Sequence, residues 1–389
     1  MSRTPDVSIV VVTHQGRERA LETLDSVQAS LGDVTVEWLL VDSGSTDGTP
    51  DAIEARFPGV NVTRVANVGF AAGNNIALRK ARGRYVLLLN PDIELVTGTL
   101  EDLVRAMDAR PEVGVASTVQ LWPDGRLQHT IRRFPSPARQ AGEAFMLPRL
   151  PGLAGLSEDV TDEALYAREI SADWLVGSFL LVRATALADV GLLDERFFLF
   201  SEETDWCRRF RAAGWDIRHL PKARLVHHTG RMLRPDLYAQ NSYSKVLYAQ
   251  KHFGPAGRLT FQAALGLRHA IRVVMLAPLA LLRPERRSRF QAERQALAVV
   301  AGLAPPPFRP VSIGSQQAAG SDGKERLDGL GSPLHDLALP ELEHEERPDA
   351  GRLGVPAGSV AAEHVPDASF AEPATRERAG IEQNLPRPG

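Results

Sequence analysis

Glu202 and Glu203 stand side by side, with Asp205 two residues on, just after the aromatic residues Phe197, Phe198 and Phe200. Acidic residues at a helix start are favoured by its dipole. Three of them beside aromatics exceed what capping needs. A carboxylate within hydrogen-bond reach of a hydroxyl can take its proton during a group transfer. Earlier in the chain, Asn90, Pro91 and Asp92 end an apolar run, and Glu94 follows. A carboxylate in such a turn can hold Mg2+ or Mn2+, hard cations that prefer oxygen. Read alone, the same fragment is a strand ending in a proline turn. Farther on, His227 and His228 close another apolar run. A lone histidine is usually structural, whereas adjacent imidazoles at a strand end are ligand candidates.

Two more stretches suit a polar, phosphorylated ligand. Asp42 ends an apolar run and is followed by Ser43, Gly44, Ser45, Thr46 and Asp47. Such a carboxylate can accept hydrogen bonds from a ribose or a base; the alternative is an ordinary Asx turn and N-cap. The second stretch runs from Asn67 through Gly69 and Gly73 to Asn75. Its glycines let backbone approach a ligand, and a following helix N-terminus favours anions. It has neither the Gly-Lys-Ser/Thr of a P-loop nor the Gly-x-Gly-x-x-Gly of a dinucleotide fold.

These residues need a scaffold that gathers loop ends. Val7–Thr13 is near-continuously apolar and β-branched, the mark of a buried parallel strand. Helical spacing over 17–31, a strand over 36–41, a helix over 51–57, a strand over 60–65, a helix over 73–81 and a strand over Tyr85–Leu89 follow. This alternation predicts βαβ units and a mostly parallel sheet with helices on both faces. Right-handed crossovers then bring the loops 13–16, 42–49, 66–69 and 90–92 together at the carboxyl edge. Residues 121–172 read as turns and a mobile excursion, 174–183 as one apolar strand, and 202–213 as a helix.

Taken in order, these features resemble the inverting family 2 glycosyltransferases of the GT-A fold, within them the bacterial rhamnosyltransferase-type branch. The resemblance runs from about residue 7 to 230. It implies a Rossmann-like catalytic domain that moves a sugar from a nucleotide-diphosphate donor, dTDP-rhamnose or a UDP-sugar, to an acceptor hydroxyl. By the same resemblance, Thr13 and Asp42 contact the nucleoside, and Asn67, Gly69, Gly73 and Asn75 shape the loop beside ribose and diphosphate. Asn90, Pro91 and Asp92 take the place of the family's Asp-x-Asp, with Asn90 departing from it on the donor side. Asp92 then becomes the main carboxylate ligand of Mg2+ or Mn2+, with His227 completing the site and His228 as alternate. Trp174, Gly177, Glu202 and Asp205 fall on the acceptor side, with Asp205 and Arg208 orienting the helix as structural rather than catalytic residues, and Glu203 takes the place of the base, one methylene longer than the commoner Asp.

Composition narrows the rest. The chain has 389 residues, a net charge of −3 and 43% hydrophobic residues. A sizeable core is expected and broad nucleic-acid binding is not. Cys207 is the single cysteine, which excludes an internal disulfide and a Cys-based metal cluster. The start of the chain does not read as a signal peptide, and no apolar run reaches the roughly 18–20 residues of a membrane span. The expected location is cytoplasmic, at the inner face of the cell membrane. Expected domains are 1–255 catalytic, 256–304 a basic helical segment, and 305–389 a disordered tail rich in Pro, Gly and Glu. The segment 256–304 reads either as a membrane-surface helix or as a helical pair packed on the catalytic domain.

Partners are the nucleotide-sugar donor, a glycan or lipid-linked glycan acceptor and a membrane surface, with polysaccharide or cell-wall assembly as the setting. Two alternatives remain. A sugar nucleotidyltransferase resembles a pattern with a basic, glycine-rich loop after the first strand, whereas here residues 13–17 hold one glycine. A non-catalytic nucleotide-sugar-binding scaffold is the other, and the intact metal, nucleotide and base candidates argue against it.

Overall fold

The computed structural model describes residues 4–60, 62–228 and 234–310. The first half alternates as expected: β1 (Val7–Thr13), α1 (Arg17–Ala29), β2 (Val36–Ser43), α2 (Thr49–Arg56), β3 (Val62–Val65), α3 (Phe70–Leu78) and β4 (Tyr85–Leu89). Then come β5 (Ile93–Thr97), α4 (Leu100–Asp108), β6 (Val113–Leu121), β7 (Ile131–Arg132), α5 (Pro137–Ala144), β8 (Ile170–Ser171), β9 (Trp174–Leu175) and β10 (Phe179–Arg183). The described chain continues with α6 (Ala184–Val190), α7 (Glu202–Ala212), β11 (Asp216–His227), α8 (Pro235–His252), α9 (Pro255–Leu282) and α10 (Arg287–Val300).

Among the described residues, one nine-stranded sheet runs β3-β2-β1-β4-β10-β6-β11-β5, with β8 beside β11. The strands β3, β2, β1 and β4 are parallel, and β10 joins β4 antiparallel. The alternation of side chains along β1 explains its near-continuous apolar sequence. Val7, Ile9 and Val11 enter one core with α1 and α4; Val10 and Val12 enter the other with α3 and α7. Each face buries apolar area at about 25 cal/mol per Å². A polar residue on either face of β1 loses that term and needs hydrogen-bond partners, as Ser8 has in Glu37 and the N–H groups of Arg82 and Gly83.

Three expectations are corrected. The helix expected at 73–81 begins at Phe70, so Gly73 lies inside it. The strand expected over 174–183 is two, β9 and β10, separated by the turn Val176, Gly177, Ser178. That break exists because β9 pairs with β7 in a separate two-stranded sheet, whereas β10 joins the main one. The stretch 121–172 is built rather than a mobile excursion: it holds β7, α5 and short 3-10 turns, and α5 packs on α9.

The chain after β11 is a helical bundle, α8 to α10, with its own small core of Val246, Ala249, Phe261, Leu265 and Val300. At its centre the His269 imidazole links Ser242 Oγ (3.1 Å) and Glu293 (2.7 Å), all three buried. Helix α9 has 28 residues, long and apolar enough to cross a membrane by length and composition. The apolar run uninterrupted by charge within it, 273–282, stays shorter than a span, because Arg268 and Arg272 interrupt the sequence without ending the helix. Residues 305–310, expected to open the disordered tail, are packed: the Phe308 ring stacks on Phe198 at 5.5 Å, and its N–H donates to Gln240 Oε1. The remainder of that expected tail, 311–389, and Gly230 lie outside the described residues.

Candidate functional site

The loops after β1 to β4 meet at one edge. Asp42, buried at the end of β2, accepts from Thr13 Oγ1 (3.0 Å) and from the Ser45 N–H (2.9 Å). Asn67 Oδ1 accepts from the Gly69 N–H at 3.1 Å, which fixes the loop after β3. A groove of about 460 Å³ opens beside these loops, lined by Asp42, Gly44, Ser45, Thr46 and Arg64. Its polar floor and size suit a nucleoside. A larger groove, about 680 Å³, lies along β2 between Trp38, Phe57, Lys80 and Arg82 and contains none of the candidate residues.

Close packing explains two of the glycines. Gly69 has φ 87°, and a Cβ there would lie 2.5 Å from the Phe198 carbonyl oxygen. The neighbouring Phe70 N–H donates to that same oxygen at 2.7 Å, so the loop after β3 is docked onto the loop before α7. A Cβ at Gly73 would sit 3.0 Å from Val12, so the glycine sets how closely α3 packs on β1. Asn75, expected near the diphosphate, lies elsewhere. Its Oδ1 accepts from the Leu193 N–H, and its Nδ2 donates to the Leu193 carbonyl and Glu195. These hydrogen bonds tie α3 to residues 193–195 and use both N–H groups of the amide.

A second cluster forms after β4. Asp92 Oδ1 lies 3.3 Å from His227 Nε2, and Asn90 Nδ2 is 3.5 Å from the same nitrogen. Asn90 Oδ1 is buried without a hydrogen-bond partner. His227 is oriented from behind by Gln128, whose Oε1 is 3.3 Å from Nδ1 and whose amide donates to the His227 carbonyl. His228 turns the other way, to Glu94 at 3.2 Å. The two histidines are therefore not equivalent: the last residue of β11 faces Asp92, and the residue after it faces Glu94. Among the described residues no three His, Cys, Asp or Glu side chains converge as a ready metal cage. Asp92, His227 and the orphaned amide oxygen of Asn90 nevertheless supply N and O donors of the kind a divalent cation takes. A divalent cation would satisfy that oxygen and complete its shell from a diphosphate.

Across the turn between β9 and β10 stands the carboxylate pair. The Asn90 N–H donates to the Ser178 carbonyl at 2.9 Å. A Cβ at Gly177, one residue earlier, would lie 3.3 Å from the Glu203 side chain. This three-residue turn therefore separates the Asn90–Asp92–His227 cluster from Glu203. Phe200 (φ 70°) and Ser201 (φ 66°) are both left-handed just before α7, at a cost of about 1–3 kcal/mol each. That bend delivers Glu202 and Glu203 to the first turn of α7.

Burial pushes the Glu203 carboxyl above its ordinary range, against opposing hydrogen bonds from backbone N–H groups including that of Gly177 and against the charge of Arg132. Burial and the neighbouring Glu203 charge push Glu202 well up. Desolvation thus outweighs the helix N-terminus here. One Oε of each residue is buried without a hydrogen-bond partner.

Around this centre, Trp174 is a wall. It is buried, donates its indole N–H to the Arg133 carbonyl at 3.0 Å, and lies under the Arg132 guanidinium. Asp205, expected on the acceptor side, faces away. It is fully buried and pairs with Arg209, Lys251 and His252, which ties α7 to α8. The i, i+3 geometry of a helix puts Glu202 and Asp205 on related faces, but the bundle supplies cations only to Asp205. Sequence reading missed Gln128 and Arg132. Both sit in a stretch without periodicity, and only the pairing of β7 with β9 brings Arg132 to the carboxylates.

A mostly parallel α/β sheet with a nucleoside-sized groove at its carboxyl edge, N and O donors after β4 and a buried carboxylate pair beside them fits a sugar transferase. The chain matches the family described as "Glycosyl transferase family 2" over residues 8–171. It is 31% identical over 260 residues to the N-acetylglucosaminyl-diphospho-decaprenol L-rhamnosyltransferase of Mycobacterium tuberculosis, covering 61% of this chain and 83% of that one. It is 24% identical over 232 residues to the rhamnosyltransferase WbbL of Escherichia coli, covering 57% and 83% respectively. Among solved structures, a mannosyltransferase of Pyrobaculum calidifontis in complex with GDP-Man and Mn2+ aligns with TM-score 0.47 and 18% identity, over 77% of this chain and 87% of that one. The chain belongs to glycosyl transferase family 2.

Proposed function

We propose that this enzyme transfers a sugar from a nucleoside-diphosphate donor to a hydroxyl of a glycan or lipid-linked glycan in cell-surface polysaccharide assembly. The donor is dTDP-rhamnose, with UDP-sugars as the alternative, and the site of action is the cytoplasmic face of the membrane. The rhamnosyltransferase relatives support the donor, and the diphospho-decaprenol acceptor in the name of one of them supports a lipid-linked substrate. The observation that carries the reading is the turn 176–178, which holds Asn90 on one flank and Glu203 on the other.

Thr13 and Asp42 hold the nucleoside, and the loop 67–70 lies along the ribose and diphosphate. Asp92, His227 and Asn90 Oδ1 would hold Mg2+ or Mn2+. Such an ion, when bound, stabilises the negative charge that grows on a departing diphosphate. Glu203 is the base. Its buried Oε2 accepts the proton of the acceptor hydroxyl as that oxygen bonds to the anomeric carbon. The bond from that carbon to the phosphate oxygen breaks in the same step, the nucleoside diphosphate leaves, and the anomeric centre inverts. Trp174 and Gly177 shape the acceptor side.

Calorimetric titration with dTDP and UDP, with and without Mn2+, tests the donor half. Metal-dependent binding that prefers dTDP is expected. Binding of neither nucleotide under any metal condition would sink the reading.

A further inference from the structure

Helix α9 is apolar on two sides, and only one of them is packed. Its inner side, with Phe261, Leu265 and Ala280, is buried against the bundle and α5. Among the described residues nothing covers its outer side. Leu267, Val274, Met275, Leu281 and Leu282 recur at i, i+7, i+8, i+14 and i+15, which places them on one stripe. The stripe is strongly exposed: Val274 73%, Met275 56%, Leu281 82% and Leu282 80%. At 1.5 Å per residue it runs about 22 Å along the helix. A contiguous apolar patch of this kind marks an interaction site rather than ordinary surface.

The end of the stripe is basic. Arg283, Arg286 and Arg287 follow it directly and are exposed, with Glu285 the one acid among them. We propose that the tip of the α9–α10 hairpin docks on an anionic bilayer, with Leu281, Leu282 and Met275 entering the headgroup–acyl boundary and these arginines engaging lipid phosphates. Charge complementarity selects this occupant: apolar side chains flanked by arginines match an anionic interface. A spanning arrangement fits less well. It would carry Arg268, paired with Glu143 of the catalytic domain, and Arg272, paired with Glu293, into hydrocarbon. Docking leaves both pairs intact. The inference deepens the proposed function by supplying the membrane on which a lipid-linked acceptor resides, yet vesicle binding requires no turnover.

The test is co-sedimentation of the full chain with phosphatidylglycerol/phosphatidylcholine vesicles and with phosphatidylcholine alone. Binding is expected only with the anionic lipid, and high salt should release it. Leu281→Asp with Leu282→Asp should lower partitioning at least about tenfold. Each of Arg283→Gln, Arg286→Gln and Arg287→Gln should cost about fivefold. Circular dichroism checks the fold of each variant. Because these side chains are exposed, melting should not shift.

A Leu282→Cys variant carrying an environment-sensitive dye gives a second readout, a blue shift on anionic vesicles. Unchanged partitioning of folded variants, or no blue shift, overturns the proposal. So does release only by detergent, which indicates a span. So does a wild-type dimer that dissociates in Leu281→Asp without vesicle binding, which indicates that the stripe covers a second copy. Transfer to a water-soluble acceptor, measured in parallel, reports on the catalytic reading alone.

Discussion

The proposed donor edge and the proposed catalytic centre treat polar groups differently. At the donor edge most polar side chains are satisfied: Thr13 with Asp42, Asp42 with the Ser45 N–H, Asn67 with the Gly69 N–H, with His14 Nε2 the buried exception. At the centre, Asn90 Oδ1 and one oxygen each of Glu202 and Glu203 are buried without hydrogen-bond partners. A buried unpaired polar atom costs about 1–3 kcal/mol, so the centre is held under tension by the better-satisfied structure around it. The difference teaches where binding and chemistry divide. A pre-satisfied rim can shape a nucleoside pocket without rearranging. Reactive carboxyls must keep capacity free for a proton or an ion.

That contrast can be broken at several points. Asp92→Ala should lower kcat about a thousandfold and abolish metal-dependent nucleotide binding, with melting little changed; steady-state rates across a Mn2+ titration check this. Glu203→Gln should lower kcat by about 10²–10⁴ while leaving nucleotide affinity near normal. A variant that instead lost donor affinity and kept kcat would move Glu203 to the donor side. Gln128→Ala should weaken metal affinity about 10- to 100-fold through loss of His227 orientation, and excess metal should restore the rate. A smaller effect is expected at the rim, where Asp42→Asn should weaken nucleotide binding about tenfold with kcat preserved.

The smallest expected effect concerns pH. The fold raises the Glu202 pKa above its ordinary value, so it favours the protonated form. The stability this group contributes is present below the unfolded value and lost as pH rises through the folded one. Glu202→Gln, which stays neutral, should therefore melt higher than the parent at about pH 8 and alike at about pH 4. Calorimetric melting at both conditions checks the sign.

The first sheet was legible because its physics is local and repetitive. A strand buried on both faces is apolar along most of its length, as β1 and β4 are. The chemistry-bearing residues at strand ends were legible for a related reason: a polar turn after an apolar run marks the point where a buried strand emerges at the sheet edge. Asn75 was not: it looks like a ligand-facing residue in sequence, and its amide is spent on Leu193 and Glu195. Asp205 was legible as a residue that orients its helix, but its partners on α8 were not. Gln128 and Arg132 escaped notice because nothing in 121–172 has a period.

The sequence by itself determined the alternation of strands and helices, the edge where polar loops collect and the order of the candidate motifs, since periodicity and residue chemistry are written along the chain. Only the tertiary structure decided which histidine faces Asp92 and which carboxyls are desolvated. It also decided that α9 turns an apolar stripe outward. Burial and hydrogen-bond partnership are properties of what packs against a residue, and those neighbours come from far along the chain.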